Sequence, residues 1–120
     1  HVRSRRQRQM CIRDRLEPFI EQKSRQLIFY LSRFLRGRLP HRELHLFVWD
    51  TLEEWSQLRV RSWRPETLRE QVFWHLLYQI EYWSEPELKQ NSEVRRDLQY
   101  CLSFLHGYGQ LPCYCVGVRP

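Results

Sequence analysis

The chain has 120 residues, of which 42% are hydrophobic and 14% aromatic, enough for one domain with a buried core. The formal net charge is +6, but most of the excess comes from residues 1–15, which contain six Arg and one acid. No run approaches the ~20 apolar residues that span a bilayer, and no apolar segment follows the charged start, so we expect a cytoplasmic protein without a membrane span.

Residues 1–15 are rich in Arg and have almost no apolar periodicity. Such a segment buries too little surface to offset its ordering entropy, so we predict a basic tail that is disordered, or at most a frayed helical extension, followed by one helical domain over residues 16–120. Three hypotheses stay open for the tail: a solvated extension, an arm that contacts phosphates, or a segment that is not native. The third rests on QRQMCIRDR, which resembles translated adaptor sequence in metagenomic assemblies and would place the native start near Leu16.

Two antiparallel helices are predicted in the first half of the domain. The first runs from about Pro18 to Arg36, with proline at the first helical position and Gly37 as the residue that ends it. The second opens at Pro40 and runs to about Leu58, with a regular apolar stripe. The short connection between them makes the two helices neighbours in space.

The third predicted helix lies within Pro65–Ser84 and has apolar side chains on nearly every face. One stripe follows helical spacing and includes Leu68, Val72, Leu76, Ile80 and Trp83. A second stripe at i, i+4, i+8 is aromatic: Trp74, Tyr78 and Tyr82. Thr67 and Glu70 have the spacing of a capping box. A helix of this composition belongs in the middle of a bundle.

The remaining residues are predicted to form one more long helix and an extended arm. Pro86 ends the third helix, and residues 85–90 have the composition of a short turn. The fourth helix begins at Asn91 or Ser92 and ends at Gly107, and the arm packs on the bundle through Leu111, Tyr114, Val116 and Val118. The predicted fold is therefore all-α: a four-helix up-down bundle-like single domain with an extended C-terminal arm and a disordered basic N-terminal tail.

Arg residues of the tail and loops are the candidates for nucleic-acid binding, the alternative function. The loop candidates are Arg33, Arg36, Arg38, Arg42, Arg59 and Arg61. In an up-down bundle the first four meet Glu81, Glu85, Glu87 and Glu93 at one end. Arg59, Arg61, Arg64 and Arg69 accompany Glu53, Glu54, Glu66 and Glu70 at the other. Because nucleic acid requires a continuous basic face, this predicted compensation makes nucleic-acid binding secondary.

Four soft metal ligands near the C-terminus are the basis of a second alternative, a small zinc-binding protein: Cys101, His106, Cys113 and Cys115. Their spacing does not match paired zinc knuckles, and Cys101 lies on the apolar stripe of the fourth helix. We therefore interpret the cysteines as reduced thiols and predict no metal and no cofactor.

The main functional prediction is a non-enzymatic protein–protein interaction or regulatory module. No nucleophile motif or Gly-rich phosphate loop is present, so neither catalysis nor a small-molecule substrate is predicted. The partner is either an unknown protein or a second copy of the chain in a homodimer. The candidate interaction residues are Trp63, Arg64, Trp74, Tyr78 and Tyr82. Whether the aromatic stripe is covered core or a partly exposed interface is left open, and its exposure distinguishes the two.

Overall fold

A computed structural model describes residues 2–58, 65–112 and 117–120, with the side chains of residues 2–15 left out. Five helices are present in these ranges: α1 (Val2–Leu35), α2 (His41–Gln57), α3 (Leu68–Tyr82), α4 (Glu85–Gln90) and α5 (Ser92–His106). The described residues contain no strand, so the all-α prediction is confirmed. Nor does this part of the chain contain a helix long and apolar enough to cross a membrane.

α1 begins at Val2, so the predicted start at Pro18 is wrong. A proline inside a helix lacks the N–H that would bond four residues back and costs about 3 kcal/mol, which is why sequence rules place a helix start there. Here Leu16, Phe19 and Ile20 are all buried, so the core anchors the helix on both sides of Pro18. The separation of residues 1–15 from the domain stays a prediction, because the side chains of this stretch are outside the description.

The connection between α1 and α2 has the predicted glycine turn. Gly37 has φ +73°, the left-handed conformation that favours glycine, and the Arg38 N–H donates to the Arg33 carbonyl over 2.9 Å. The two helices pack side by side, with the rings of Tyr30 and Phe47 stacked at 4.8 Å between centroids. The α1–α2 pair is therefore a helical hairpin, as predicted.

α3 packs against α1, α2 and α5, which confirms its central position in the bundle. Six of its apolar side chains are at most 1% exposed: Val72, Phe73, Trp74, Leu76, Leu77 and Ile80. Each such burial stabilises the fold by about 1.5–3 kcal/mol before entropy is subtracted. Leu68, predicted on the same stripe, is instead 53% exposed because it is the first residue of the helix.

Asparagine and glycine delimit the last long helix as the sequence predicts. The side chain of Asn91 accepts hydrogen bonds from the N–H groups of Glu93 and Val94, and Gly107 ends α5 with φ +99°. Residues 85–90, predicted as a turn, form the short helix α4. The side chain of Leu88 is buried and packs this helix against the core.

Candidate functional site

The predicted aromatic stripe of α3 has no single environment. Trp74 is fully buried, Tyr78 is 38% exposed and Tyr82 is 75% exposed. Trp74 lies with its ring against Trp55 and Phe73, at 4.9 Å between centroids in both pairs. Trp74 therefore belongs to the core, and its prediction as a surface interaction residue is corrected. Of these three stripe residues, Tyr82 is the most exposed and the best placed to contact a partner.

Tyr78 is occupied by the C-terminal arm. Its hydroxyl donates a hydrogen bond to the carbonyl of Val118. Burial, and then the negative charge of Glu66, raise the pKa of the Tyr78 phenol above its ordinary value, because both disfavour the phenolate. The arm was predicted to pack through Leu111, Tyr114, Val116 and Val118, but Leu111 and Val118 are 41% and 63% exposed. Tyr114 and Val116 lie outside the described residues. Hydrogen bonds, rather than the side chains of Leu111 and Val118, attach the described end of the arm.

A buried ion pair also attaches the arm to α3. Arg119 contacts both carboxylate oxygens of Glu70, with its Nη2 at 2.8 Å from Oε1 and its Nε bonded to Oε2. The Trp74 Nε1–H donates to the same carboxylate over 2.9 Å, and Glu70 is only 3% exposed. The predicted capping box is therefore half present: Thr67 accepts from the Glu70 N–H, but the Glu70 carboxylate turns to Arg119.

Gly117 lets the arm approach α3 this closely. A Cβ atom at this position would overlap the backbone of α3 at His75, Gln71 and Trp74. Because helix backbone cannot yield as a side-chain tip can, only glycine fits this position. No local pattern in the sequence connects Gly117 or Arg119 to α3, and this contact was not predicted.

Four of the predicted nucleic-acid residues lie together at the α1–α2 connection, and all are exposed: Arg33, Arg36, Arg38 and Arg42. None of them forms an ion pair with a residue that the structure describes. Two of the four acids that were predicted to face them form ion pairs with other residues. Glu81 pairs with His45 at 3.2 Å, and Glu85 pairs with Lys89 at 2.7 Å. Among the described residues, the predicted compensation at this end therefore does not take the form of Arg–Glu ion pairs.

The other predicted pairings change as well. The hydrogen bond from Lys89 lowers the pKa of Glu85, so this acid is committed within α4. Arg69 pairs with Glu21 of α1 at 3.0 Å, and Glu54 pairs with Lys23 at 2.6 Å. Long charged side chains form ion pairs with whichever opposite charge the bundle brings close to them. These distances cannot be read from positions in the sequence. Arg59, Arg61, Trp63 and Arg64 lie outside the described residues.

The outward face of α2 carries a tryptophan that is not among the predicted interaction residues. Trp49 is 58% exposed, and its Nε1–H donates to Nε2 of His45 over 2.6 Å. Nδ1 of His45 lies 3.2 Å from the Glu81 carboxylate of α3. His45 therefore links Trp49 of α2 to Glu81 of α3. The i, i+4 spacing of His45 and Trp49 is the sequence signal that could have shown this contact.

Exposed apolar and basic side chains accompany Trp49 on the hairpin. Arg42, Leu46 and Trp49 follow i, i+4, i+7 and form one stripe, which we call the α2 stripe. Leu46 is 45% exposed. On α1, Phe29 is 50% exposed and the guanidinium of Arg33 lies 4.3 Å from the centre of its ring, a cation–π contact.

The predicted metal ligands are not assembled where the structure describes them. Cys101 is buried and faces a cavity between α3 and α5, whereas His106 faces another between α1 and α5. Cys113 and Cys115 lie outside the described residues. Among the residues that are described, no group of three or more His, Cys, Asp or Glu side chains is placed to hold a metal ion.

Comparison of the chain with protein families, with curated proteins and with solved structures finds no match. The function is therefore inferred from the geometry of the chain itself.

Proposed function

We propose that this protein is a non-enzymatic interaction module, and that the α1–α2 hairpin binds a protein surface with acidic and apolar residues. One observation supports this most: Trp49 is exposed, yet its Nε1–H donates a hydrogen bond to His45, whose ring lies 3.2 Å from the Glu81 carboxylate, and this contact restricts the orientation of the Trp49 side chain. Trp and Arg are the residues most enriched where alanine substitution costs binding energy.

A fixed tryptophan favours binding because ordering a side chain costs about 0.5–1.5 kcal/mol when it is immobilised at an interface. The hydrogen bond to His45 already restricts Trp49 in the unbound chain, so less entropy is lost when a partner covers it. Leu46 lies one turn away and adds apolar surface, so a partner that covers the α2 stripe removes both side chains from water.

The charge around the stripe indicates the chemistry of the partner. The four exposed Arg at the α1–α2 connection have no carboxylate partner in the described part of the chain. Asp or Glu on a partner would supply it, and Arg accepts carboxylates in a two-pronged geometry. A second copy docked about a two-fold axis would place these Arg near one another, so this surface favours a different protein over a homodimer.

Nucleic acid fits this surface less well than an acidic protein does. Phosphate binding requires adjacent positive charges along a continuous face. On α2 the outward face also carries exposed Glu43, Asp50 and Glu53, and Leu46 and Trp49 stand between the charges, so the positive face is not continuous. Mixed apolar and charged residues are typical of protein interfaces.

Site-specific photo-crosslinking tests the proposal. A photoreactive residue replaces Glu53, one turn from Trp49, and crosslinked protein is identified by mass spectrometry from cells of the source organism. We expect a protein adduct whose reacting peptide contains Asp or Glu, and which Trp49→Ala and Arg42→Glu each reduce about tenfold or more. Tyr108→Ala removes another exposed ring, 67% exposed and beyond α5, and should leave the adduct unchanged.

Three outcomes would contradict the proposal. The first is an adduct that Trp49→Ala leaves unchanged. The second is an adduct that nuclease digestion removes, which would support nucleic-acid binding instead. The third is an adduct that contains only a second copy of the chain.

A further inference from the structure

A cavity of about 630 Å³ lies between α3 and α5. Ligand sites usually have volumes of about 300–1,000 Å³, so its size is that of a small-molecule site. α3 contributes His75 and Gln79 to its lining, and residues 109–112 form the third side. The lining residues from α5 are Arg96, Asp97, Tyr100 and Cys101. None of these residues belongs to the α2 stripe, so the cavity is independent of the proposed interface.

The mouth of the cavity carries one positive and one negative side chain. Arg96 and Asp97 are consecutive on α5, and both are exposed. Neither side chain forms an ion pair or a hydrogen bond with any residue in the described ranges. Consecutive helix residues point about 100° apart, so both border the cavity without engaging each other. Two opposite charges that are left unpaired at one opening match a ligand that carries both signs.

The wall of the cavity is predominantly apolar. Cys101 is buried behind it, Leu111 and Pro112 close one side, and the ring of Tyr100, 58% exposed, stands at the edge. An apolar group that entered would be removed from water, which is favourable by about 25 cal/mol per Å² of apolar surface. Tyr100 offers a ring face against which a second ring can stack.

Gln79 adds a hydrogen-bond donor inside the cavity. Its Oε1 already accepts a hydrogen bond from the Trp83 Nε1–H over 2.8 Å, which fixes the amide and leaves its NH₂ group to donate. His75, half-buried beside it, makes no hydrogen bond through its ring to a described residue. Both groups can therefore bind a polar ligand atom.

We propose that this cavity binds a zwitterionic small molecule with a large apolar group, of which an α-amino acid with an aromatic or branched side chain is the simplest form. Arg96 binds the carboxylate, and Asp97 binds the ammonium group. The side chain lies against Leu111, Pro112 and the ring of Tyr100, while the Gln79 amide donates a further hydrogen bond. Binding is non-covalent and requires no metal.

Calorimetric titration of the full chain with L-phenylalanine, L-leucine and L-tryptophan tests this proposal. We expect at least one to bind, and its analogue without the ammonium or the carboxylate to bind about tenfold or more weakly, as for one lost charge-assisted hydrogen bond. For L-phenylalanine the analogues are 3-phenylpropionate and phenethylamine. Arg96→Gln and Asp97→Asn should each weaken amino-acid binding about tenfold, and Asp97→Asn should not weaken 3-phenylpropionate.

Two types of variant complete the experiment. Leu111→Trp fills the cavity from a side chain that is 41% exposed, and should abolish binding while its circular dichroism spectrum stays native. Arg25→Gln and Asp50→Asn remove exposed charges elsewhere and should bind as the wild type does. The proposal is overturned if none of the three amino acids binds up to about 10 mM, an affinity of less than 3 kcal/mol. It is equally overturned if the single-charge analogues bind as well, or if Arg96→Gln and Asp97→Asn bind normally.

Discussion

Replacing Arg119 with leucine should destabilise the domain by about 3 kcal/mol. The substitution leaves the Glu70 carboxylate, with a side chain only 4% exposed, without the guanidinium that contacts both of its oxygens. Breaking a buried ion pair from one side costs about 3–5 kcal/mol, because a charge stays buried without compensation. We expect the lower end of this range because the Trp74 Nε1–H continues to donate to the carboxylate.

Urea unfolding followed by circular dichroism measures this loss. Small domains lose about 1–3 kcal/mol of stability per molar urea, so the midpoint should fall by about 1–3 M. The double variant Glu70→Gln with Arg119→Leu removes the buried charge itself and should recover part of the loss. A loss of less than about 0.5 kcal/mol in the free energy of unfolding of Arg119→Leu, the range of an ordinary surface substitution, would refute this prediction. A double variant less stable than Arg119→Leu would refute it too.

Three further predictions concern α3 and α5. Leu77→Asp puts a charge at a position 1% exposed and should unfold the domain, whereas Leu68→Asp, at 53% exposure, should keep a native spectrum and melting temperature; native helicity in the Leu77 variant would contradict the central position of α3. Because burial and a neighbouring glutamate raise the pKa of Tyr78, its contribution to stability is complete below its ordinary value of 10.0 and is lost as pH rises through the raised folded-state value. Tyr78→Phe should therefore lose less stability than the wild type in alkaline urea titrations, and parallel curves would argue against this account. Asn91→Ala removes the acceptor of two N–H groups at the start of α5 and should cost about 1 kcal/mol in thermal unfolding, while Asn91→Asp keeps that acceptor and should cost little; equal losses would mean that the cap contributes nothing.

The exposure of the aromatic side chains on α3 could not be predicted from the sequence. The three aromatic residues of the α3 stripe have the same spacing, yet Trp74 is buried and Tyr82 is 75% exposed. Their cover comes from α2 through Trp55 and from the arm at Val118, which are distant in the chain. Residues on one stripe of a helix can therefore face different neighbours along its length.

The partners of charged side chains were also predictable from the sequence only where they are close in the chain. The local pair Glu85–Lys89 has i, i+4 spacing and could be found from the sequence. The pair Glu70–Arg119 joins residues far apart in the chain and depends on the close approach that Gly117 permits. That the Arg residues at the α1–α2 connection lack carboxylate partners among the described residues could be recognised only once the partners of Glu81 and Glu85 were known.

The all-α class, the α1–α2 hairpin and the ends of α5 could be predicted from local sequence, because apolar periodicity, caps and glycine turns act over a few residues. The sequence also predicted that α3 is central, since a helix that is apolar on most faces requires cover on most faces. The tertiary structure decided which of the aromatic and charged side chains stayed exposed. Exposure and pairing depend on which helix or arm lies within a few ångströms, and that neighbour is set by the packing of the whole bundle.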